Sequence, residues 1–407
     1  VLALGSGALV GASVEADAVP TARHIRYHDW SSTRQLDRGT HEGTRAVAGE
    51  LRFSRPAGTR GYAGRRYEYA AWVSPSVPAR FGATELIASW SARTPARSWV
   101  QVEARATTAT GELTTWYVMG RWAAGDRWFE RTSAGRQADE HAEVAVDTLR
   151  AVSGHRFVRW QLRALLMRPA GGTAVPRLQR VGAVVSRLPS GRLATPSAAG
   201  PARGVELAVP PYSQQRHRGH FPQWGGGGEA WCSPTSTAMV LSYWRSGPSA
   251  ADSAWVRDRV DPMVDHAARA TYDYAYGGTG NWPFNTAYAA QFGMSSFVTR
   301  LRSLNEAERF VAAGIPVVAS LSFTRSELDG AGYGSNGHLM VIIGFRPNGN
   351  VIVNDPASHL RASNSQVRVV YDRLQFENAW LRHSGGLSYV IHPPSVALPA
   401  APGQANW

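Results

Sequence analysis

Hydrophobic and polar residues alternate with a period of two through much of the first half of the chain. Val100, Val102 and Ala104 alternate with Gln101, Glu103 and Arg105, and Val158, Trp160, Leu162 and Ala164 alternate with Arg159, Gln161 and Arg163. That period belongs to strands with one buried face. Shorter strand-like runs at 86–90, 113–119 and 181–186 are separated by clusters of Gly, Pro and Ser. Several short strands with polar outer faces predict an antiparallel β-sandwich of jelly-roll type over residues 23–188. Eight of the 15 tryptophans fall in this region, and rings of that size carry much of a core's burial. A tryptophan platform for carbohydrate is the competing use, so cell-envelope or carbohydrate contact is expected, if anywhere, through this domain.

The pattern then changes. Residues 189–204 (PSGRLATPSAAGPARG) lack periodicity and read as an interdomain linker. From 205 to 393 the texture is α+β. Ser233-Pro234 suits the N-cap and first position of a helix running to about Trp244. A second helix is expected over 305–313, with Ser303 or Asn305 as cap and Gly314 as stop. Residues 315–323 read as a strand. Two further strands, 339–345 and 351–354, flank Pro347-Asn348-Gly349, a hairpin signal. Residues 394–407 read as a disordered tail.

Within this second domain stands the chain's single cysteine, Cys232, placed where the helix begins. A thiol at a helix N-terminus lies near the positive end of the dipole and its unpaired N–H groups, which favour the thiolate. It then needs an imidazole to take up and return a proton. His338 opens the strand LMVIIGF, and Asp355 closes the next one, where a carboxylate could orient the imidazole. A strict two-residue Asn348-Gly349 turn, however, sets Asp355 opposite Ile342. His338 is then four residues away, about 13 Å at ~3.3 Å per residue. Contact requires a longer loop, a bulge near Gly344 or strand curvature. The competing readings are a buried structural thiol, a strand-end histidine and a turn-starting aspartate.

Six ordered blocks carry a family resemblance: VPPYSQQ (209–215), WCSPTSTAMVLSYW (231–244), NWPFNTAYAA (281–290), AGIPVVASLSF (313–323), GHLMVIIGF (337–345) and VIVNDPAS (351–358). Together they resemble the bacterial papain-like cysteine peptidases related to the bacteriocin-leader-processing peptidases, over roughly residues 205–393. The resemblance implies a papain-like fold for this domain and a Cys-His-Asp set at Cys232, His338 and Asp355. It also implies an oxyanion-hole glutamine at Gln214, with Gln215 and Gln223 as lesser candidates. The implied chemistry is hydrolysis of amide bonds in a peptide or protein substrate through a thioester. This chain departs from the relatives by Ser233 where they usually carry Gly, and by Trp231 where a small residue is common. Cleavage after a double-glycine leader is not carried over.

Composition narrows the field. A length of 407 residues suggests two domains of ~100–200 residues each. One cysteine excludes an internal disulfide, and the absence of Lys excludes lysine Schiff-base chemistry. The formal net charge of +13 comes from scattered arginines without a basic run, so nucleic acid is not expected as a partner. An apolar stretch at 1–13 followed by Ala16-Asp17-Ala18 predicts a signal-peptide remnant over 1–18 and a secreted protein. No later stretch approaches the ~20 apolar residues of a membrane span. His217-x-x-His220 lacks a Cys or carboxylate at metal-ligand spacing, and no metal or cofactor is expected. Glu229 and the aromatic loop carrying Tyr272, Tyr274, Tyr276 and Trp282 could flank a cleft, or be plain surface. Two other readings stay open: a papain-like binding protein that has lost turnover, and a transglutaminase-like acyltransferase.

Overall fold

A computed structural model describes residues 22–407; the segment expected as a signal-peptide remnant lies outside the described residues. The molecule is mostly β-sheet with few helices, in two domains. Strands between His24 and Arg187 form two antiparallel sheets. One runs in the order Gln137–Ala138, Ala142–Ala145, Thr148–Ala151, Glu85–Arg93, Arg177–Arg187, Glu50–Phe53 and Thr44–Val47, with His24–Trp30 also paired to Arg177–Arg187. The other is built on Tyr117–Trp122, Trp99–Thr108, Phe157–Pro169, Arg65–Val73 and Thr40–Glu42. Trp30 of the first sheet meets Trp72 and Trp160 of the second edge-on, with ring centroids 5.4 and 5.8 Å apart, so the inner faces interdigitate.

Most of these tryptophans are core. Trp72, Trp90, Trp99, Trp122 and Trp160 are fully buried. Trp128 is partly exposed, but the Arg97 and Arg127 guanidinium groups lie over its ring at 3.9 and 4.8 Å. The polar face of Trp99–Thr108, expected to be solvated, is covered instead. Gln101 and Glu103 are buried, joined by a 2.6 Å hydrogen bond, and Glu103 is paired with Arg163. Arg105 and Arg163 both lie over the Trp116 ring, which shields this layer from water.

The C-terminal domain packs helices against a six-stranded antiparallel sheet ordered Ser295–Arg300, Leu387–His392, Val317–Phe323, Ser335–Phe345, Val351–Asn354 and Arg368–Tyr371. The helix bearing the thiol spans Cys232–Tyr243, after Trp231 as cap, and so begins two residues earlier than Ser233 as cap and Pro234 as first position suggest. Ser233 does not cap it, because its hydroxyl is hydrogen-bonded to Tyr389 (2.9 Å) in the core. Pro234 is tolerated inside the first turn, where N–H groups have no helical acceptor in any case. Leu304–Ala312 begins after Ser303, which adopts extended backbone. No helix among the described residues is long and apolar enough to cross a membrane.

The two domains share one core. Phe284, on helix Trp282–Ala290, inserts between Trp122 (5.4 Å) and Trp90 (6.1 Å) of the N-terminal domain. A Cβ on Gly120 would come within 2.7 Å of Trp90 and 3.0 Å of Phe284, so this close approach requires glycine. Polar groups stitch the seam around that contact: the fully buried Arg131 donates to the Arg269 carbonyl (2.7 Å), Ser133 N–H to Asp273 (2.9 Å), and Arg300 pairs with Glu85 (2.6 Å).

Residues 189–204 lack regular structure but do not swing free. Leu193 N–H donates to Asn378 and Ser197 N–H to Glu377, both at 2.8 Å, and Ala202 is buried. The tail at 394–407, expected to be disordered, is packed against the fold. Asn406 is fully buried, donates to the Arg300 carbonyl (2.7 Å) and Glu306 (2.8 Å), and accepts from Arg302 (2.7 Å). Trp407 stacks edge-on to Phe310 at 4.9 Å. Its proline-rich composition conceals this because the partners are remote in sequence.

Replacing Phe284 with Ala should destabilise the protein by about 3–5 kcal/mol through the cavity left at the seam. Scanning calorimetry should show a lowered thermal midpoint, and a midpoint unchanged from the parent would contradict the shared core.

Candidate active site

Cys232 is the first residue of its helix and is partly exposed. It lines a cleft of about 580 Å³ together with His338, Trp282, Tyr276 and the glycine-rich stretch 277–280. His338 is buried and stands between thiol and carboxylate. Its Nε2–H donates to Asp355 Oδ1 at 2.8 Å, and the ring also hydrogen-bonds the Cys232 side chain. Backbone N–H groups of Leu339 and Ser233 point at the same sulfur.

The register of the sheet brings this about. Val341 pairs with Asn354 and Ile342 with Val353, but beyond a bulge Gly344 pairs with Ile352 and Phe345 with Val351. The turn closes one residue wider than a strict Asn348-Gly349 hairpin, with Gly349 N–H donating to Arg346 O and Arg346 N–H to Asn350 O. The bulge at Ile343 adds a second shift, and Asp355 follows as the neighbour of Met340 instead of Ile342. His338 lies two residues along the same face as Met340, a diagonal distance that long side chains span. The bulge has its own cause. Residues 205–207 pass so close to Gly344 that a Cβ there would lie 2.5 Å from the Val205 carbonyl.

Electrostatics follow from this geometry. Burial alone would depress His338, but the Asp355 charge and hydrogen bond, with help from Cys232, raise it to about 10. Burial disfavours a Cys232 thiolate, yet the hydrogen bond and charge of His338 and the two backbone N–H groups outweigh it, and the thiol falls below its ordinary value. Both shifts run in the direction that favours a thiolate–imidazolium pair of Cys232 and His338. Asp355 is fully buried and accepts from Tyr333 (3.0 Å to each oxygen), Tyr371 (2.8 Å) and the Ala357 N–H (3.0 Å). Burial and the Asp355 charge push both tyrosines upward, so both remain protonated donors.

Gln214 sits in the short turn Gln214–His217, is buried, and donates from Nε2 to the Glu229 carbonyl (2.6 Å), three residues before the cysteine. It is not among the residues lining the cleft. Trp231 is fully buried and donates to the Trp224 carbonyl (2.7 Å), so this departure from the relatives fills the space behind the helix start and leaves the cleft unobstructed. Glu229 lies near Arg218 at 3.8 Å, away from the thiol cleft. His217 and His220 meet a carboxylate that their spacing did not reveal: both rings bond Asp265 through Nδ1, at 2.8 and 2.9 Å, which ties the loop to helix Pro262–Thr271. Of the aromatic loop, Tyr276 and Trp282 face the cleft, while Tyr272 and Tyr274 pack edge-on at 4.9 Å.

Two family descriptions match successive parts of the chain: Peptidase C39 N-terminal domain over residues 26–186, and Peptidase_C39 like family over residues 206–387. The chain belongs to the C39 papain-like cysteine peptidase family. A solved structure from Bacillus anthracis, described as a C39-like peptidase, is similar at 20% identity over 46% of this chain and 96% of that one, with a TM-score of 0.29. No curated protein matches significantly. Within this C39-family chain the residues that sequence reasoning missed are Tyr333 and Tyr371, which hold Asp355, and Asp147, which enters the cleft from the other domain. An isolated tyrosine carries no sequence signal for such a role.

Alkylation of Cys232 by iodoacetamide should stay fast well below pH ~8.5, the ordinary thiol range. His338→Ala removes the counter-charge and leaves burial to act, so its alkylation should titrate at or above that range. Rate–pH profiles that coincide for the two proteins would refute the ion pair.

Proposed function

We propose that this protein is a secreted cysteine peptidase that hydrolyses peptide bonds through a thioester acyl-enzyme. The observation that carries the reading is the continuous Cys232–His338–Asp355 chain opening into one cleft. A helix presenting the thiol against an antiparallel sheet presenting the imidazole and carboxylate is what a papain-like α+β domain requires.

The chemistry follows from the pair. The Cys232 thiolate attacks the scissile carbonyl carbon, forming a C–S bond and moving the carbonyl electron pair onto oxygen. Collapse of that adduct breaks the C–N bond, and His338 gives its proton to the departing amine. Water then enters, His338 takes one of its protons, and the oxygen attacks the thioester carbon. Breaking of the C–S bond releases the acid and restores the thiolate. Asp355, held by two tyrosines, keeps the imidazole in one orientation throughout. Negative charge on the adduct oxygen is met by the Cys232 backbone N–H at the start of its helix. Gln214, which the family resemblance implies as a second donor, gives its amide N–H to the Glu229 carbonyl and stands outside the cleft lining, so the Cys232 N–H is the donor this reading rests on.

Incubation of the protein with a peptide library, read by mass spectrometry, should give cleavage products with wild type and none with Cys232→Ala. Asp355→Asn should slow turnover on the order of 10²–10⁴-fold. Brief quenching should trap an acyl adduct on Cys232. Cleavage that persists in Cys232→Ala would dismiss the assignment, and amine incorporation in place of hydrolysis would move it to acyl transfer.

A further inference from the structure

The N-terminal domain contributes a wall of the cleft. Its hairpin between strands Ala142–Ala145 and Thr148–Ala151 crosses the seam, and Asp147 lines the same cavity as Cys232 and His338. Val146, with φ of 56°, adopts left-handed backbone, the sharp reversal that brings Asp147 into the interface. Asp147 is 5% exposed. Its Oδ2 accepts the Trp282 N–H (3.0 Å) and its Oδ1 the Thr148 hydroxyl (3.2 Å). Both donors are neutral, and no arginine forms an ion pair with it among the described residues. Arg150, at the exposed rim of the same wall, is directed to Glu85 at 3.5 Å.

A carboxylate so placed retains unused acceptor capacity on both oxygens. Burial pushes it up to about 6 against the pull of the Trp282 and Thr148 hydrogen bonds, and the nearby Asp273 charge adds to the rise. It is therefore an inner acid without a cationic partner, in a cavity that also holds the reacting thiol. A buried charge is costly unless paired, and a cation entering here forms a charge-assisted hydrogen bond.

We propose that Asp147 is a specificity-determining residue, receiving a cationic group of the substrate, the ammonium or guanidinium of a basic peptide side chain. Substrate selection is then a property of the N-terminal domain, whose hairpin reads a side chain while the C-terminal domain cuts. This rests on the peptidase reading for the nature of the ligand.

The test separates binding from turnover. Capped peptides carrying Lys, Arg, norleucine or Glu at each position in turn are titrated by fluorescence anisotropy against Cys232→Ala and against Cys232→Ala combined with Asp147→Asn. Lys or Arg at one position should bind about 10-fold more tightly than norleucine in the first protein. Asp147→Asn keeps an acceptor for the Trp282 N–H and should abolish that preference, leaving norleucine peptides unchanged. Asp147→Glu should retain it in weakened form. A cation preference that is absent from the first protein, or that survives Asp147→Asn, overturns the proposal. Parallel cleavage assays use proteins with Cys232 intact. A preference that depends on Asp147 in a protein that cleaves nothing would uphold the cation site and defeat the peptidase reading; cleavage with no such preference would do the reverse.

Discussion

A carboxylate removed entirely from water is tolerated only where hydrogen bonds and a counter-charge replace its hydration. Asp355 meets that condition with two tyrosine hydroxyls, a backbone N–H and an imidazolium, drawn from four separate segments of the C-terminal domain. Satisfying one charge thus fixes the positions of Tyr333, His338 and Tyr371 together. It also fixes the state of the thiol. Asp355 raises His338, and the raised imidazole in turn lowers the Cys232 thiol against the opposing effect of burial. The site works as a chain of dependent charges, and loosening its inner end at Asp355 would return the thiol to the control of desolvation.

That chain is placed by the packing around it. The bulge at Ile343 lets Asp355 reach His338, and it sits where residues 205–207 pass against the sheet. The stretch before it, 189–204, is bonded to Glu377 and Asn378 and so delivers the chain to that point along a fixed path. On the other side, Phe284 between Trp90 and Trp122 sets helix Trp282–Ala290 against the N-terminal domain, and the N–H at the start of this helix meets Asp147. One wall of the cleft is therefore built by a domain that carries none of the Cys-His-Asp set. An interface stitched by a fully buried arginine and a shared aromatic core holds the two walls together.

Local chemistry made much of both domains legible. The alternation in 100–105 and 158–164, the helix start beside Cys232 and the turn residues 347–349 are short-range signals, and each marks an element close to where it is found. The errors share a cause as well. The outer face of Trp99–Thr108 looks solvated in sequence because its cover comes from elsewhere, Trp116 from the stretch before Tyr117–Trp122 and Arg163 from Phe157–Pro169. The tail looks disordered in sequence because Asn406 finds its partners about a hundred residues away. Ser233 has the character of a cap in sequence, but a tyrosine 156 residues later takes its hydroxyl.

By itself, the sequence determined which side chains are available and in what order: one thiol at a helix start, then a histidine and an aspartate at the ends of neighbouring strands. It determined too that a β-rich region precedes them. Tertiary structure alone decided that the histidine and the aspartate touch. A strict two-residue hairpin keeps them about 13 Å apart at ~3.3 Å per residue, and only a wider turn with a bulge closes the gap. It decided as well that Tyr333 and Tyr371 serve the same carboxylate, and that Asp147 of the first domain faces the thiol of the second. Periodicity and spacing report what each segment prefers along its own length. Which segments meet depends on burying surfaces and charges that lie far apart in the chain.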